Sequence, residues 1–332
     1  MSTPRLQINL FTCGHKEYRI PLFLKMIEEI SKSKYIDFLS LYIYAEARTA
    51  DIVKQYFLNN KPKIKIYLTE LASASYPERV KFAHKSECEY SCKMDDDVLM
   101  SSHVWDYVYE NLDKLTQQTP VIAPIFTNGI PSADLFVQDF LSDEDKKTAH
   151  ELFLTGPVAD SEWGLDYTGV NQKIRSMQEW NDGEYWSTLT TINTKWDVNP
   201  VPWYYCIVRG VHPARYSKEY NFFVADKIFE NKDKFFDKQE YRLETYKAPY
   251  FCNNLFFCKT EYWRDTYTLF TDGWDEGQLT LQMRLDKANP LYIRNGFAIH
   301  MAYGMTRGQR EIEERYIQLL TQKKNGIHNN KK

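Results

Sequence analysis

Short apolar runs alternate along the first part of the chain with stretches of helical period. Leu6-Gln7-Ile8-Asn9-Leu10-Phe11-Thr12 alternates apolar and polar positions and predicts a strand, which Cys13-Gly14-His15 breaks. Phe23, Met26, Ile27 and Ile30 then fall on one helix face, and Pro21 suits the first turn, where its missing N–H has no intrahelical partner to lose. Phe38 to Tyr44 predicts a second strand ending in Ala45-Glu46, and Ile52, Val53, Tyr56 and Phe57 mark a second helix closed by Asn59-Asn60 and Pro62. Ile64 to Leu68 predicts a third strand, and Tyr76-Pro77-Glu78-Arg79 opens a third helix with Val80 and Ala83 on its apolar face. A fourth strand ends in Asp95-Asp96-Asp97. Val104, Val108, Leu112 and Leu115 supply the helix after it, with Ser102 as its cap, and Val121 to Phe126 predicts a fifth strand.

Strands alternating with helices of this length predict an α/β fold with a mostly parallel sheet of right-handed β-α-β units flanked by helices. The pattern divides the chain into an α/β part over 1–130, an aromatic, turn-rich part over 131–248, a C-terminal completion over 249–322 and a basic, fraying tail over 323–332. In the second part, Trp163-Gly164-Leu165-Asp166-Tyr167, Asp182-Gly183-Glu184-Tyr185-Trp186 and Pro200-Val201-Pro202-Trp203-Tyr204-Tyr205 show no clear period. It is expected to pack onto the first part and to line an acceptor pocket, although packing alone accounts for the aromatics equally well. Regularity returns with a strand at Tyr250 to Lys259, a short helix at Thr260 to Tyr267, an acidic loop at Asp272 to Gly277 and a helix through Leu279, Met283 and Leu285. Leu291 to His300 predicts strand, turn and strand, and Gly308 to Leu320 an amphipathic helix.

A net charge of −3 gives no electrostatic footprint for nucleic acid as the main partner. No apolar run approaches the ~18 residues that span a bilayer, and the start lacks the apolar core of a signal peptide, so a cytoplasmic protein is expected. The cysteines form no C-x-x-C pair and are expected to be reduced. The tail offers weak peripheral contact with anionic lipid headgroups, or a solvated end.

The acids Asp95-Asp96-Asp97 stand out because three adjacent like charges at the end of a core strand need a compensating cation. Mg²⁺ or Mn²⁺ takes carboxylate oxygens, and Mg²⁺ is commonly held by one or two carboxylates together with substrate phosphates. A solvated acidic turn is the other reading of such a run. In parallel sheets ligands sit beyond the carboxyl ends of the strands near a switch in strand order. Thr12, Glu46 and the acid triplet all fall at such ends.

The order of these parts resembles the GT-A fold glycosyltransferases, a Rossmann-like class that uses nucleotide sugars, nearest to its family-two-like, D-x-D-containing members. The likeness covers Leu6 to Phe126 and Tyr250 to Tyr303: an α/β half ending in D-x-D, a variable acceptor region, then a strand, paired acids opening a helix, and a strand ending in histidine. The resemblance implies a metal-dependent, inverting hexosyl- or pentosyltransferase. Its donor would be a nucleotide-diphosphate sugar, UDP- or GDP-linked, its acceptor a glycan hydroxyl and its cofactor Mn²⁺ or Mg²⁺. By position, Asp95, Asp97 and His300 would hold the metal, and Asp96, Thr12, Glu46 and Arg79 would contact the donor. Glu276, with Asp275 beside it, would be the general base; here the pair reads D-E where the family has E-D. Asp275 and Glu276 also suit a helix first turn, and His300 a strand edge. No glycine-rich loop stands near Asn253-Asn254. The alternatives are a sugar-nucleotide nucleotidyltransferase, for which Thr12-Cys13-Gly14-His15-Lys16 is a poor phosphate loop, and a non-catalytic carbohydrate-binding protein. Haloacid-dehalogenase phosphatases also use D-x-D, but after the first strand and not the fourth.

Overall fold

The computed structural model describes residues 4–12, 20–45, 47–71, 80, 83–127, 132–155, 218–246, 251, 252, 254–269, 279, 282, 283, 285–300, 313, 314, 317 and 318. Its strands are β1 (Leu6–Phe11), β2 (Leu39–Ala45), β3 (Lys65–Glu70), β4 (Tyr90–Asp95), β5 (Val98–Met100), β6 (Val121–Phe126), β7 (Arg242–Thr245), β8 (Leu255–Lys259) and β9 (Leu291–His300). The α-helices are α1 (Ile20–Ser31), α2 (Ala47–Asn60), α3 (Ser102–Glu110), α4 (Ser132–Phe140), α5 (Asp143–Thr155), α6 (Lys218–Glu230), α7 (Lys232–Phe236) and α8 (Thr260–Leu269).

All nine strands of the described residues belong to one sheet, ordered β3-β2-β1-β4-β8-β6-β9-β5, with β7 paired to β9. β1, β2, β3, β4, β6 and β9 run in one sense, and β5, β7 and β8 run against them. The expected α/β fold with a mostly parallel sheet is therefore present. β1 is buried at every position, so its polar residues are not on a solvent face. They satisfy one another: Gln7 Nε2 donates to Asn9 Oδ1 at 2.7 Å, Asn9 Nδ2 to the Cys92 carbonyl at 3.1 Å, and the Tyr44 hydroxyl to Asn9 Oδ1 at 3.1 Å.

The C-terminal part enters the middle of this sheet. β8 lies antiparallel between β4 and β6, with Met94 opposite Leu255 and Val121 opposite Cys258. Adjacent residues of a strand face opposite sides, and both sides of β8 are covered. Trp105 of α3 packs edge-on against Phe257 at 5.3 Å, and Trp263 of α8 packs edge-on against Phe256 at 5.5 Å.

Two sequence expectations change. Residues 291–300 form one continuous strand: the expected turn is a bulge, in which pairing with β6 jumps from Pro124↔Ile293 to Ile125↔Phe297. Pro124 has no N–H to give the ladder there, Asn295 takes φ 61°, and a Cβ on Gly296 would come within 2.6 Å of Ile293 Cγ2. Asp139 ties the bulge down through Arg294 Nε at 2.8 Å and the Asn295 N–H at 3.0 Å. The cap of α3 is also different. Ser101 occupies the N-cap without a side-chain bond, and the Ser102 N–H donates to Glu29 Oε2 of α1 at 3.2 Å. The described part of 131–248 contains helices α4 to α7 and strand β7, whereas the segments read as lacking a period, 163–167, 182–186 and 200–205, lie outside the described residues. No helix among the described residues is long and apolar enough to cross a membrane.

Candidate functional site

The carboxyl ends of β1, β2, β4, β6 and β9 share one edge of the sheet, and the antiparallel β5 and β8 begin at that edge. Between β1 and β4 the strand order reverses, because β2 and β3 lie on one side of β1 and every later strand on the other. The acids sit at this switch. Asp95 ends β4, Asp96 and Asp97 form the turn, and Val98 starts β5.

Each acid has a different partner. Lys93 and Asp95 share one face of β4, two residues apart, and Lys93 Nζ lies 2.8 Å from Asp95 Oδ1. Lys93 is buried, with its ammonium 6.0 Å from the centre of the Phe11 ring. The other Asp95 oxygen accepts from Asn254 Nδ2 at 2.8 Å, while the Asp95 N–H donates to the Asn254 carbonyl at 2.9 Å. Asn254 is held in turn by the Cys252 thiol, which donates to its Oδ1 at 2.7 Å.

Asp96 accepts from the Thr12 hydroxyl at 2.5 Å. The backbone N–H of Thr12 is fixed by the Tyr44 carbonyl of β2 at 3.2 Å, so this contact links the ends of the first, second and fourth strands. Asp97 is 5% exposed and turns the other way. Its Oδ1 lies 3.6 Å from Nε2 of His300, which the pairing of Val98 with His300 brings alongside. The Phe126 ring meets the imidazole edge-on at 5.8 Å.

Asp97 Oδ1 and His300 Nε2, a carboxylate oxygen and an imidazole nitrogen 3.6 Å apart, are donor types that a divalent ion such as Mn²⁺ accepts. Among the described residues no three His, Cys, Asp or Glu side chains gather at one point. Asp97 and His300 are thus brought together, while Asp95 is held by Lys93 and Asn254. Glu46, Arg79, Asp275 and Glu276 lie outside the described residues.

Burial pushes the Cys92 and Cys258 thiols up, which keeps them protonated and removes them as nucleophiles. Two residues of the site, Lys93 and Asn254, were not assigned roles from the sequence. The i, i+2 spacing of Lys93 and Asp95 on one strand is a readable signal. Asn254 has none before β8 is known to pair with β4.

No protein-family model and no curated protein matches the chain. Among solved structures it is similar to the apo form of mouse xyloside xylosyltransferase 1, at 14% identity and a TM-score of 0.29, over 37% of this chain and 52% of that one. It is also similar to S. aureus TarS 1-349 in complex with UDP-GlcNAc, at 14% identity and a TM-score of 0.30, over 38% of this chain and 35% of that one. TarS 1-349 without that ligand gives 16% identity and a TM-score of 0.30, over 38% and 36%. The match spans about half of the first of these proteins and about a third of the second.

Proposed function

We propose that the chain is a glycosyltransferase that moves a hexosyl or pentosyl group from a UDP- or GDP-linked sugar to a hydroxyl of a glycan acceptor, inverting the anomeric carbon and using Mn²⁺ or Mg²⁺. The observation that carries this reading is the meeting of Asp97 and His300 beside the Thr12–Asp96 contact at the carboxyl ends of the strands. Asp97 and His300 are the residues that hold the ion, in the neighbourhood of Asp95. When bound, such an ion acts as a Lewis acid that offsets the negative charge of the departing diphosphate.

Asp96, oriented by Thr12, accepts hydrogen bonds from hydroxyls of the donor ribose or sugar, and Glu46 and Arg79 complete the donor contacts. Glu276 takes the proton of the acceptor hydroxyl while that oxygen bonds to the anomeric carbon. The bond from that carbon to the diphosphate oxygen breaks, and its electron pair leaves with the nucleoside diphosphate. Asp275 stands beside the base on the acceptor side, and residues 131–248 shape the acceptor pocket. The reaction belongs in the cytoplasm, a setting that suits the free thiols of Cys88, Cys92, Cys252 and Cys258, with the basic tail available to anionic headgroups.

The test is a thermal-shift screen of UDP-, GDP-, CMP- and dTDP-sugars with and without Mn²⁺, because a ligand of the native state raises stability with the logarithm of its concentration over Kd. One nucleotide class should stabilise the protein only with Mn²⁺ and should be hydrolysed slowly to nucleoside diphosphate and free sugar. Release of pyrophosphate would point to nucleotidyl transfer, and binding without turnover to a carbohydrate-binding protein.

A further inference from the structure

β3 is an outer strand of the sheet: among the described residues it pairs only with β2, so one row of its N–H and C=O groups has no ladder partner. The surface beside it is apolar. Phe57 and Leu58 of α2 and Ile64, Ile66 and Leu68 line an open groove of about 580 Å³, and Leu58 is 68% exposed. On the opposite face Tyr67 stacks on Tyr42 of β2 with ring centres 4.4 Å apart, and it remains 45% exposed. An edge of this kind accepts an added strand, whose backbone completes the ladder and whose alternate side chains fill the groove.

The charges say which strand fits. Lys61, Lys63 and Lys65 come first along the segment, all exposed, and the exposed acid Glu70 comes last. Parallel pairing with an identical strand would bring like charges together, whereas antiparallel pairing brings the acidic end of each strand to the basic start of the other. Residues opposite one another share a face of the sheet. Centring on Tyr67 therefore sets Tyr67 opposite Tyr67, Ile66 opposite Leu68, Lys65 opposite Thr69 and Ile64 opposite Glu70. No lysine then meets a lysine. Lys61 lines the groove with Ile64, so Glu70 of the second strand comes to it. Within its own chain Glu70 is only loosely held, by Lys54 at 3.6 Å with both side chains half exposed.

We propose that β3 is a dimerisation strand, which pairs antiparallel with β3 of a second copy of this chain about a two-fold axis at Tyr67. The two sheets become one. The Tyr42–Tyr67 stacks of the copies meet on one face, and Ile66 and Leu68 of each copy meet the groove of the other on the opposite face. Because the two strands run in opposite senses, the acid turns of the copies open on opposite edges of the joined sheet. Edge lysines also discourage indiscriminate pairing, and in this register they do so without opposing the specific one.

Sedimentation velocity over a concentration series of the full chain tests it, with Lys61→Glu, Glu70→Lys and the variant carrying both. The parent should show a reversible monomer–dimer equilibrium at or below about 100 µM. Each single exchange sets two like-charge pairs across the axis and should weaken the dimer at least about tenfold. The double exchange restores both pairs and should return it to within about threefold of the parent. Both positions are exposed, so circular dichroism and melting should be unchanged. Under a mild oxidant Tyr67→Cys should cross-link to its copy beyond the parent's background, because the residue faces itself, and Lys65→Cys, which faces Thr69, should not. The proposal is overturned if the parent stays monomeric, if the double exchange dimerises no better than the singles, or if Lys65→Cys cross-links as readily as Tyr67→Cys. A monomeric parent that floats with phosphatidylglycerol vesicles overturns it equally, and would assign the lysines to an anionic lipid surface.

Discussion

His300 Nε2 stands 3.6 Å from Asp97 Oδ1 because β5, only three residues long, pairs antiparallel with the end of β9. Neither residue is placed by its own neighbours in sequence; the ladder between Val98 and His300 does it. Asp97→Asn and His300→Ala should each abolish most of the extra thermal stabilisation that Mn²⁺ adds to nucleotide, while the melting temperature without ligand stays within a few degrees. Unchanged Mn²⁺-dependent stabilisation in both would move the metal site elsewhere.

The Thr12 hydroxyl is the donor that orients Asp96. Thr12→Val keeps the volume and removes that donor. A hydrogen bond to a charged group is worth about 1.5–3 kcal/mol, so UDP affinity measured by calorimetry should fall roughly 10- to 100-fold. Thr12→Ser keeps the hydroxyl and should keep most of the affinity, and equal losses in both would show that the methyl packing and not the hydroxyl matters.

Glu276→Gln should cut turnover by roughly 10²- to 10⁴-fold, the range for a positioned general base, with donor affinity nearly intact. Asp275→Asn should act less strongly, or on acceptor KM. A product whose anomeric configuration, read by NMR, matches that of the donor would remove the base assignment.

Burial first, and then the nearby charge of Arg264, lower the His84 imidazole from its ordinary 6.5 to about 4. The ring stands edge-on to Trp263 at 4.9 Å. Because the folded value is the lower one, the unfolded chain takes up this proton first as pH falls. The stability associated with neutral His84 is complete above about pH 6.5 and is lost down to about pH 4, amounting to up to about 3 kcal/mol. Urea midpoints compared at pH 7 and pH 4 should show that loss in the parent. It should shrink by a comparable amount in His84→Gln, and an equal acid loss in both proteins would assign the pH dependence to other groups.

The first four strands, α1 and α2 were legible because their signals are local: apolar residues at period two or at helical spacing, and Pro21 in a first turn. The place of the three acids at the end of the fourth strand was legible for the same reason. What the sequence concealed depends on long-range pairing. Glu29 caps α3 from another helix, Asn254 reaches Asp95 only through the β4–β8 ladder, and the bulge at Asn295-Gly296 resembles a turn until Pro124 is seen opposite. The partners of the buried polar residues of β1 were hidden for the same reason, since Gln7 and Asn9 bond to each other and Asn9 reaches the Cys92 carbonyl on the neighbouring strand.

β8 has a consequence for how the molecule is made. It fills the gap between β4 and β6, so both strands keep an unsatisfied backbone edge until residues 255–259 have been synthesised. The N-terminal half can collapse early on its own parallel ladders, but its centre closes only through contacts of very high sequence separation, the slow class of folding step. A chain cut near residue 130 would therefore carry a permanently open, apolar β4 edge, and edges of that kind recruit other chains.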